Sequence, residues 1–130
     1  MSDPTFLGLD EVIDLHSDQL ERYGGASGIR DLGLLESALA LPAATFDGRF
    51  LHESAFEMAA AYLVAIAQNH PFLDGNKRTA LIAAIAFLGL NGWRVHADIA
   101  PLIDLVLGVA ERRRTKADVT VFFQVNCRPA

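Results

Sequence analysis

The sequence predicts an all-α fold in a single domain covering residues 1–130. Three observations point there. Apolar residues recur at helical spacing along most of the chain, beginning with Leu9, Val12, Ile13, His16, Leu20 and Tyr23. Two alanine-rich apolar runs, Ala59 to Ala67 and Ala80 to Leu90, read as two central helices, because a helix apolar on most sides belongs inside. One polar loop, His70-Pro71-Phe72-Leu73-Asp74-Gly75-Asn76-Lys77-Arg78-Thr79, lies between them. A polar loop held by two apolar helices suits a site on a rigid frame.

Composition narrows the function classes. A chain of 130 residues that is 52% hydrophobic can bury a core. Its 16 acidic and 11 basic side chains leave a net charge of −5, which argues against a nucleic-acid backbone as the main partner. A single cysteine, Cys127, cannot form an internal disulfide, so a reducing compartment is expected. Met1 to Asp10 holds no basic stretch followed by an apolar one, and Ala80 to Leu90 falls short of the about 20 residues that span a bilayer. A soluble, cytoplasmic protein with no membrane and no direct nucleic-acid contact is expected.

The elements follow in order. The first helix ends at Gly24-Gly25, and His16 falls on its apolar stripe as a hydrogen-bonded core histidine. A site role for His16 would require its tip to point at the loop. Gly24 to Arg30 is a glycine-rich surface turn. Asp31 can cap a second helix with Leu32, Leu35 and Leu39 on one face, stopped by Pro42. Asp47-Gly48, flanked by Thr45-Phe46 and Arg49-Phe50, suggests a small hairpin, either a plain connector or a flap that docks an extended segment. A long helix is expected from Leu51 to Asn69, with His52 and Glu53 solvated in its first turn. Pro71 pushes His70 out of the helical region, so His70 opens the loop.

A further helix is expected from Asn76 to Asn91 with Gly92 as its cap, then a short extended piece through Trp93, Val95 and His96. His96 reads as a surface histidine. Pro101 suits a first helical turn ahead of Leu102, Leu105, Val106 and Val109. Arg112, Arg113, Arg114 and Lys116 read as a solvated helix end. Thr115-Lys116-Ala117-Asp118 resembles a capping box and opens a last helix through Asn126.

The loop carries the chemistry. Gly75, Asn76, Lys77 and Arg78 stand at a helix entrance, where backbone N–H groups lack internal partners and favour anions. Gly75 lets a phosphate approach the backbone, Arg78 offers a planar fork and Lys77 a point charge. No Gly-Lys pair exists, so this is not a P-loop. Asp74 can ligate Mg²⁺ beside a phosphate, cap the helix, or do both. A zinc site is disfavoured, because no second histidine stands at metal spacing. His70 is the histidine beside these groups, and an imidazole can take a proton from an attacking hydroxyl. Phe72 and Leu73 are expected to plug the loop into the core.

At these residues the sequence resembles the Fic/Doc family, whose pattern is His-Pro-Phe-x-Asp/Glu-Gly-Asn-Gly-Arg. His70, Pro71, Phe72, Asp74, Gly75, Asn76 and Arg78 match it. Lys77 departs from the usual glycine and looks like the Doc, or death-on-curing, branch, the toxins of toxin–antitoxin pairs. Tyr23-Gly24-Gly25, Gly28-Ile29-Arg30-Asp31, Leu34 to Leu39 and Asn91-Gly92 also look Doc-like. The resemblance implies a Fic/Doc-type helical bundle using ATP and Mg²⁺. It implies His70 as base, Asp74 as Mg²⁺ ligand, Gly75, Asn76, Lys77 and Arg78 as the phosphate cradle, and Thr45 to Phe50 as a flap presenting the target. In most Fic enzymes the glycine leaves room for phosphates and AMP is transferred. A lysine fills that room, and the Doc branch is understood to transfer the γ-phosphate to elongation factor Tu, stopping translation. A Doc-like kinase is therefore expected first, AMP transfer second, and a non-catalytic binding module third. The inhibitory Ser/Thr-x-x-x-Glu-Gly/Asn helix of many Fic proteins is unmatched, since Ser17 to Arg22 ends in the wrong residue. Restraint is expected from an antitoxin protein instead.

Overall fold

The computed structural model describes residues 3–130. The chain forms one mostly helical domain that also contains two small antiparallel sheets. The elements are α1 (Leu9–Tyr23), α2 (Leu32–Ala40), a 3₁₀ turn (Leu41–Ala43), β1 (Thr45–Phe46), β2 (Arg49–Phe50), α3 (Ala55–Asn69), α4 (Asn76–Leu90), β3 (Trp93–Val95), α5 (Ile99–Ala110), α6 (Lys116–Asn126) and β4 (Cys127–Pro129).

The core is built around α3, whose residues Met58 to Leu63 and Ala65 to Ala67 are all buried. It packs against α4, α6, α5 and α2. Ala59 and Ala60 of α3 and Ala80, Ala83 and Ala84 of α4 are fully buried, and small side chains allow two helices to approach closely. On α4 the burial covers one face only, and Leu81, Ile82 and Ile85 stay half-buried. Tyr62 is fully buried against Phe87, and its hydroxyl accepts the Leu7 N–H at 3.0 Å. That bond sets where the chain enters α1. Burial pushes the Tyr62 phenol up to about 12, so it remains neutral.

Cap chemistry explains most boundaries. Asp31 accepts the Leu34 N–H and starts α2 as expected. Thr115 and Asp118 form the reciprocal capping box at α6, with bonds of 3.2 and 2.8 Å. Gly24, at φ 80°, ends α1. The hairpin at Asp47-Gly48 is present, pairing Thr45 with Phe50 and Phe46 with Arg49.

Several expectations are corrected. The third helix starts at Ala55, not Leu51, because Ser54 caps it by accepting the Glu57 N–H at 3.1 Å. His52 is not solvated. It is buried before that cap, with Nε2 2.9 Å from the Lys116 Nζ. Burial, helped by that ammonium, holds its imidazole below the ordinary value. The arginines beyond α5 are more engaged than a plain solvated end: Arg114 pairs with Asp104, Arg113 with Glu111, and Arg112 donates to Gln68. The extended piece at Trp93 to Val95 is one strand of a sheet, closed by β4 at the C-terminal end of α6.

Tyr62→Phe should lower unfolding free energy by about 1–2 kcal/mol, because it leaves the Leu7 N–H without its buried acceptor. Urea denaturation of the two proteins at neutral pH measures the difference. Equal midpoints would mean that water replaces the hydroxyl.

Candidate active site

The link from α3 to α4 reverses the chain through two left-handed residues. His70 has φ 49° and ψ 58°, and Gly75 has φ 75° and ψ 17°. A non-glycine residue in this region is strained, so His70 must be held there. Arg30 holds it. Its Nε donates to the His70 carbonyl at 2.6 Å and its Nη2 to the Asn69 carbonyl at 2.8 Å, covering the exposed C-terminal end of α3.

The Gly24 to Asp31 turn is zipped to the loop along its length. The Arg30 and Asp31 N–H groups both donate to the Pro71 carbonyl, at 2.8 and 3.0 Å, and the Leu73 N–H donates to the Gly28 carbonyl at 3.1 Å. Ile29 and Phe72 form a β-bridge. Gly25 permits this close approach: a Cβ there would come within 2.8 Å of the Asp74 carboxylate. Phe72 plugs the loop into the core, fully buried as expected, whereas Leu73 is 57% exposed and leans on Gly28 instead.

The residues singled out from sequence gather around one cleft of about 490 Å³. His70, Leu73 and Asp74 to Arg78 line it, together with the apolar Leu81, Ile103, Val106 and Leu107. The N–H groups of Asn76, Lys77 and Arg78 occupy the first turn of α4, where helix geometry supplies no acceptor. The Asn76 side chain is committed elsewhere. Its amide accepts the Phe72 N–H at 2.9 Å and donates to the Phe72 carbonyl at 3.0 Å, tying the loop to itself. What Asn76 offers an anion is its main-chain N–H. Lys77 is exposed and makes no side-chain hydrogen bond among the described residues. Arg78 donates to the Gly24 carbonyl at 3.0 Å and lies 5.3 Å above the Tyr23 ring, which fixes its guanidinium.

Asp74 does not cap α4. Gly75 occupies the cap position without a side-chain bond, and the Asp74 carboxylate turns back to accept N–H groups of Gly75 at 2.8 Å and Ala26 at 3.2 Å. Those two backbone donors hold its carboxyl below the ordinary value, with smaller help from Arg78 and His16 against a desolvation cost. Each carboxylate oxygen retains acceptor capacity. No three His, Cys, Asp or Glu side chains gather into a metal cage among the described residues. The donor set therefore fits a hard cation that takes its remaining ligands from an anion and water, which is the habit of Mg²⁺.

His16 is the buried, hydrogen-bonded histidine expected, and its tip does reach the loop: Nε2 lies 2.8 Å from the Asp74 carbonyl. The ring stacks on Phe72 at 3.8 Å with planes 7° apart. A Cβ at Gly75 would sit 3.4 Å from Leu20 and 3.7 Å from His16, so this glycine answers to α1 as well as to the cleft. Arg30 and the Gly24 to Asp31 turn were given no site role by sequence reasoning. The signal available was Gly24, Gly25 and Gly28 close together, which marks tight backbone but not its partner.

A depressed carboxyl implies a pH dependence. The folded state favours ionised Asp74, so its contribution to stability is complete above the ordinary value of 3.8 and is lost as pH falls through the lower folded value. Asp74→Asn should therefore be less stable than the parent at neutral pH, and the gap should close on acidification below about pH 4. Urea titrations from pH 7 to pH 3 follow the gap. A pH-independent gap would detach it from ionisation.

The Fic/DOC family model matches residues 6–88, which includes α1, the Gly24 to Asp31 turn and the whole loop. "Protein kinase doc" of Escherichia phage P1 is 42% identical over 104 residues, covering 78% of this chain and 79% of that protein. "Toxin Doc" of Mycolicibacterium smegmatis (strain ATCC 700084 / mc(2)155) is 46% identical over 76 residues, 58% of either chain. With the loop pattern matched except at Lys77 and the match running through the elements that hold it, the chain belongs to the Fic/Doc family, in its Doc toxin branch.

Proposed function

We propose that the protein is a toxin that acts as an ATP-dependent protein kinase, moving the γ-phosphate of ATP to a protein hydroxyl. The observation that carries this reading is the cleft floor. The first turn of α4 presents unpartnered N–H groups and Lys77 beside a fixed Arg78, and His70 lines the same cleft. Backbone donors at a helix start bind phosphate oxygens without reorganising, and they gain strength where water is excluded. The apolar wall of Leu81, Ile103, Val106 and Leu107 suits the base of a nucleotide.

The division of labour follows from position. Asp74 would hold Mg²⁺ together with phosphate oxygens. The metal, when bound, offsets the charge of the triphosphate. Asn76, Lys77 and Arg78 would orient the phosphates through main-chain N–H groups and the two cationic side chains. His70 would accept the proton of the acceptor hydroxyl as its oxygen bonds to the γ-phosphorus. The bond from that phosphorus to the bridging oxygen breaks, and ADP leaves. The hairpin at Thr45 to Phe50, with Phe46 75% exposed, would present the target segment by strand addition. Elongation factor Tu is the target favoured by the family resemblance. An antitoxin partner in the cytoplasm would restrain the activity.

AMP transfer is the second reading, because Pro71 and Gly75 follow the general Fic pattern. Lys77 favours the kinase reading over it, since a lysine side chain would take the space that glycine leaves in AMP-transferring members. No helix among the described residues is long and apolar enough to cross a membrane, in keeping with action on a soluble target.

ATP labelled at the α- or the γ-position separates the readings in a lysate supplemented with purified elongation factor Tu. Transfer from γ is expected, and His70→Ala should reduce it by at least about 100-fold while the far-ultraviolet spectrum stays helical. Label from α would replace the kinase with AMP transfer. No label from either would leave only a binding role.

A further inference from the structure

We propose that His16 is a positioning residue, which holds the Asp74–Gly75 peptide and through it the metal- and phosphate-binding half of the cleft. The link to nucleotide rests on the function proposed above. The link to the peptide rests on geometry alone.

His16 lies on α1, in another element from the loop, and is only 4% exposed. Its partner is a carbonyl, which can only accept, so Nε2 carries the proton and the tautomer is fixed. The acceptor is the Asp74 carbonyl oxygen. That oxygen belongs to the same planar unit as the Gly75 N–H, because the peptide bond does not rotate. The Gly75 N–H in turn donates to the Asp74 Oδ1 at 2.8 Å. Fixing one edge of this plane with an imidazole therefore aims the opposite edge, and the opposite edge aims the carboxylate. The second carboxylate oxygen is pinned by Ala26, so the aim is complete only when both contacts hold.

The same plane leads into α4. Gly75 is its left-handed cap residue and directly precedes Asn76, Lys77 and Arg78. The imidazole cannot swing away, since it stacks at 3.8 Å and 7° on Phe72, itself clamped by the Asn76 amide. His70 at the other end of the loop has its own clamp in Arg30. Loss of His16 should therefore weaken binding of the Mg²⁺–nucleotide pair more than it slows the chemical step. Residues that orient a metal ligand typically govern affinity by about 10–100-fold.

Two variants of the full chain separate positioning from packing. His16→Phe keeps an aromatic ring over Phe72 and removes the donor. His16→Gln can offer an N–H at similar reach. In nucleotide-free protein, His16→Phe should move the amide ¹H–¹⁵N resonances of Ala26 and of Gly75 to Arg78 while those of α5 and α6 stay in place. His16→Gln should return them toward wild type. In calorimetric titrations with ATP, His16→Phe should raise the Kd measured with Mg²⁺ by about tenfold. It should alter the Kd without Mg²⁺ far less, and His16→Gln should regain most of the loss. Unmoved loop amides in His16→Phe would overturn the proposal. So would moved amides with unchanged Mg²⁺-dependent affinity, or a His16→Gln variant as impaired as His16→Phe. A wild-type protein that binds no ATP at all would sink the proposed function instead. The amide shifts would then still support or overturn the hold on the peptide.

Discussion

Between α3 and α4 the chain turns back through two left-handed residues, and both lean on distant parts of the chain as well as on local hydrogen bonds. A left-handed histidine is held by a guanidinium from residue 30, and a left-handed glycine is packed against Leu20 and His16 of α1. The loop has almost no regular structure of its own, yet it must place a base candidate, a carboxylate and a helix start within one cleft. Its shape is borrowed from α1 and the turn that follows it. That dependence explains why an exposed, glycine-rich turn can be as important to the site as the loop itself. Glycines at 24, 25 and 28, all at positive φ, let two stretches of backbone lie close enough to exchange hydrogen bonds.

The electrostatics run against the composition. The chain carries a net charge of −5, but the cleft floor presents a helix N-terminus, Lys77 and Arg78. Arg78 is not idle meanwhile. It donates to Gly24, the cap of α1, where a helix C-terminus attracts cations, and rests over Tyr23. One end of α1 thus steadies a cation at the start of α4, and the two helix ends meet with complementary charge. Asp74 stays ionised because backbone N–H groups, rather than a neighbouring cation, contribute most to its stabilisation. A carboxylate held this way keeps its charge while the cations around it remain available to an anion.

Much of this was legible in the sequence, and the exceptions have common causes. Periodicity and caps placed the helices well where a cap is local: Asp31 with Leu34, Thr115 with Asp118, and Gly24 after Tyr23. The early start expected for α3 overlooked Ser54-Ala55-Phe56-Glu57, a capping pattern in plain view. Strand β4 follows α6 directly and is only three residues long, so no alternation could announce it, and its partner β3 lies far back in the chain. The site residues came from one contiguous stretch, and the structure gathers them around one cleft. Their roles were harder to read. Asn76 looked like a phosphate ligand, but its side chain closes the loop, since an amide can serve the N–H and the carbonyl of one residue together. Asp74 was open to a metal role, a cap or both, and the cap does not form: its carboxylate bonds Gly75 and also Ala26, a contact across 48 positions that no local pattern encodes. Arg30 and His16 reach the loop from 40 and 58 positions away, so spacing could name His16 as a core histidine with only a conditional site role and gave Arg30 none.

The donor inventory also constrains the order in which a site of this kind fills. A carboxylate that belongs to no cluster of three or more acidic, histidine or cysteine side chains among the described residues would bind a hard cation weakly by itself, because such ions require six or more oxygens. The helix start beside it offers main-chain donors and two cations, which on the proposed reading would hold a phosphate chain with or without metal. On that reading the cation would gain its remaining ligands only once phosphate oxygens are there, so the two would bind most tightly as a pair. Each then raises the affinity of the other by the same factor, as linkage demands. That factor would depend on how well the Asp74 carboxylate and the first turn of α4 are aimed at a common point. The proposed control of that aim is one peptide plane, whose carbonyl meets His16 of α1 and whose N–H meets the Asp74 carboxylate.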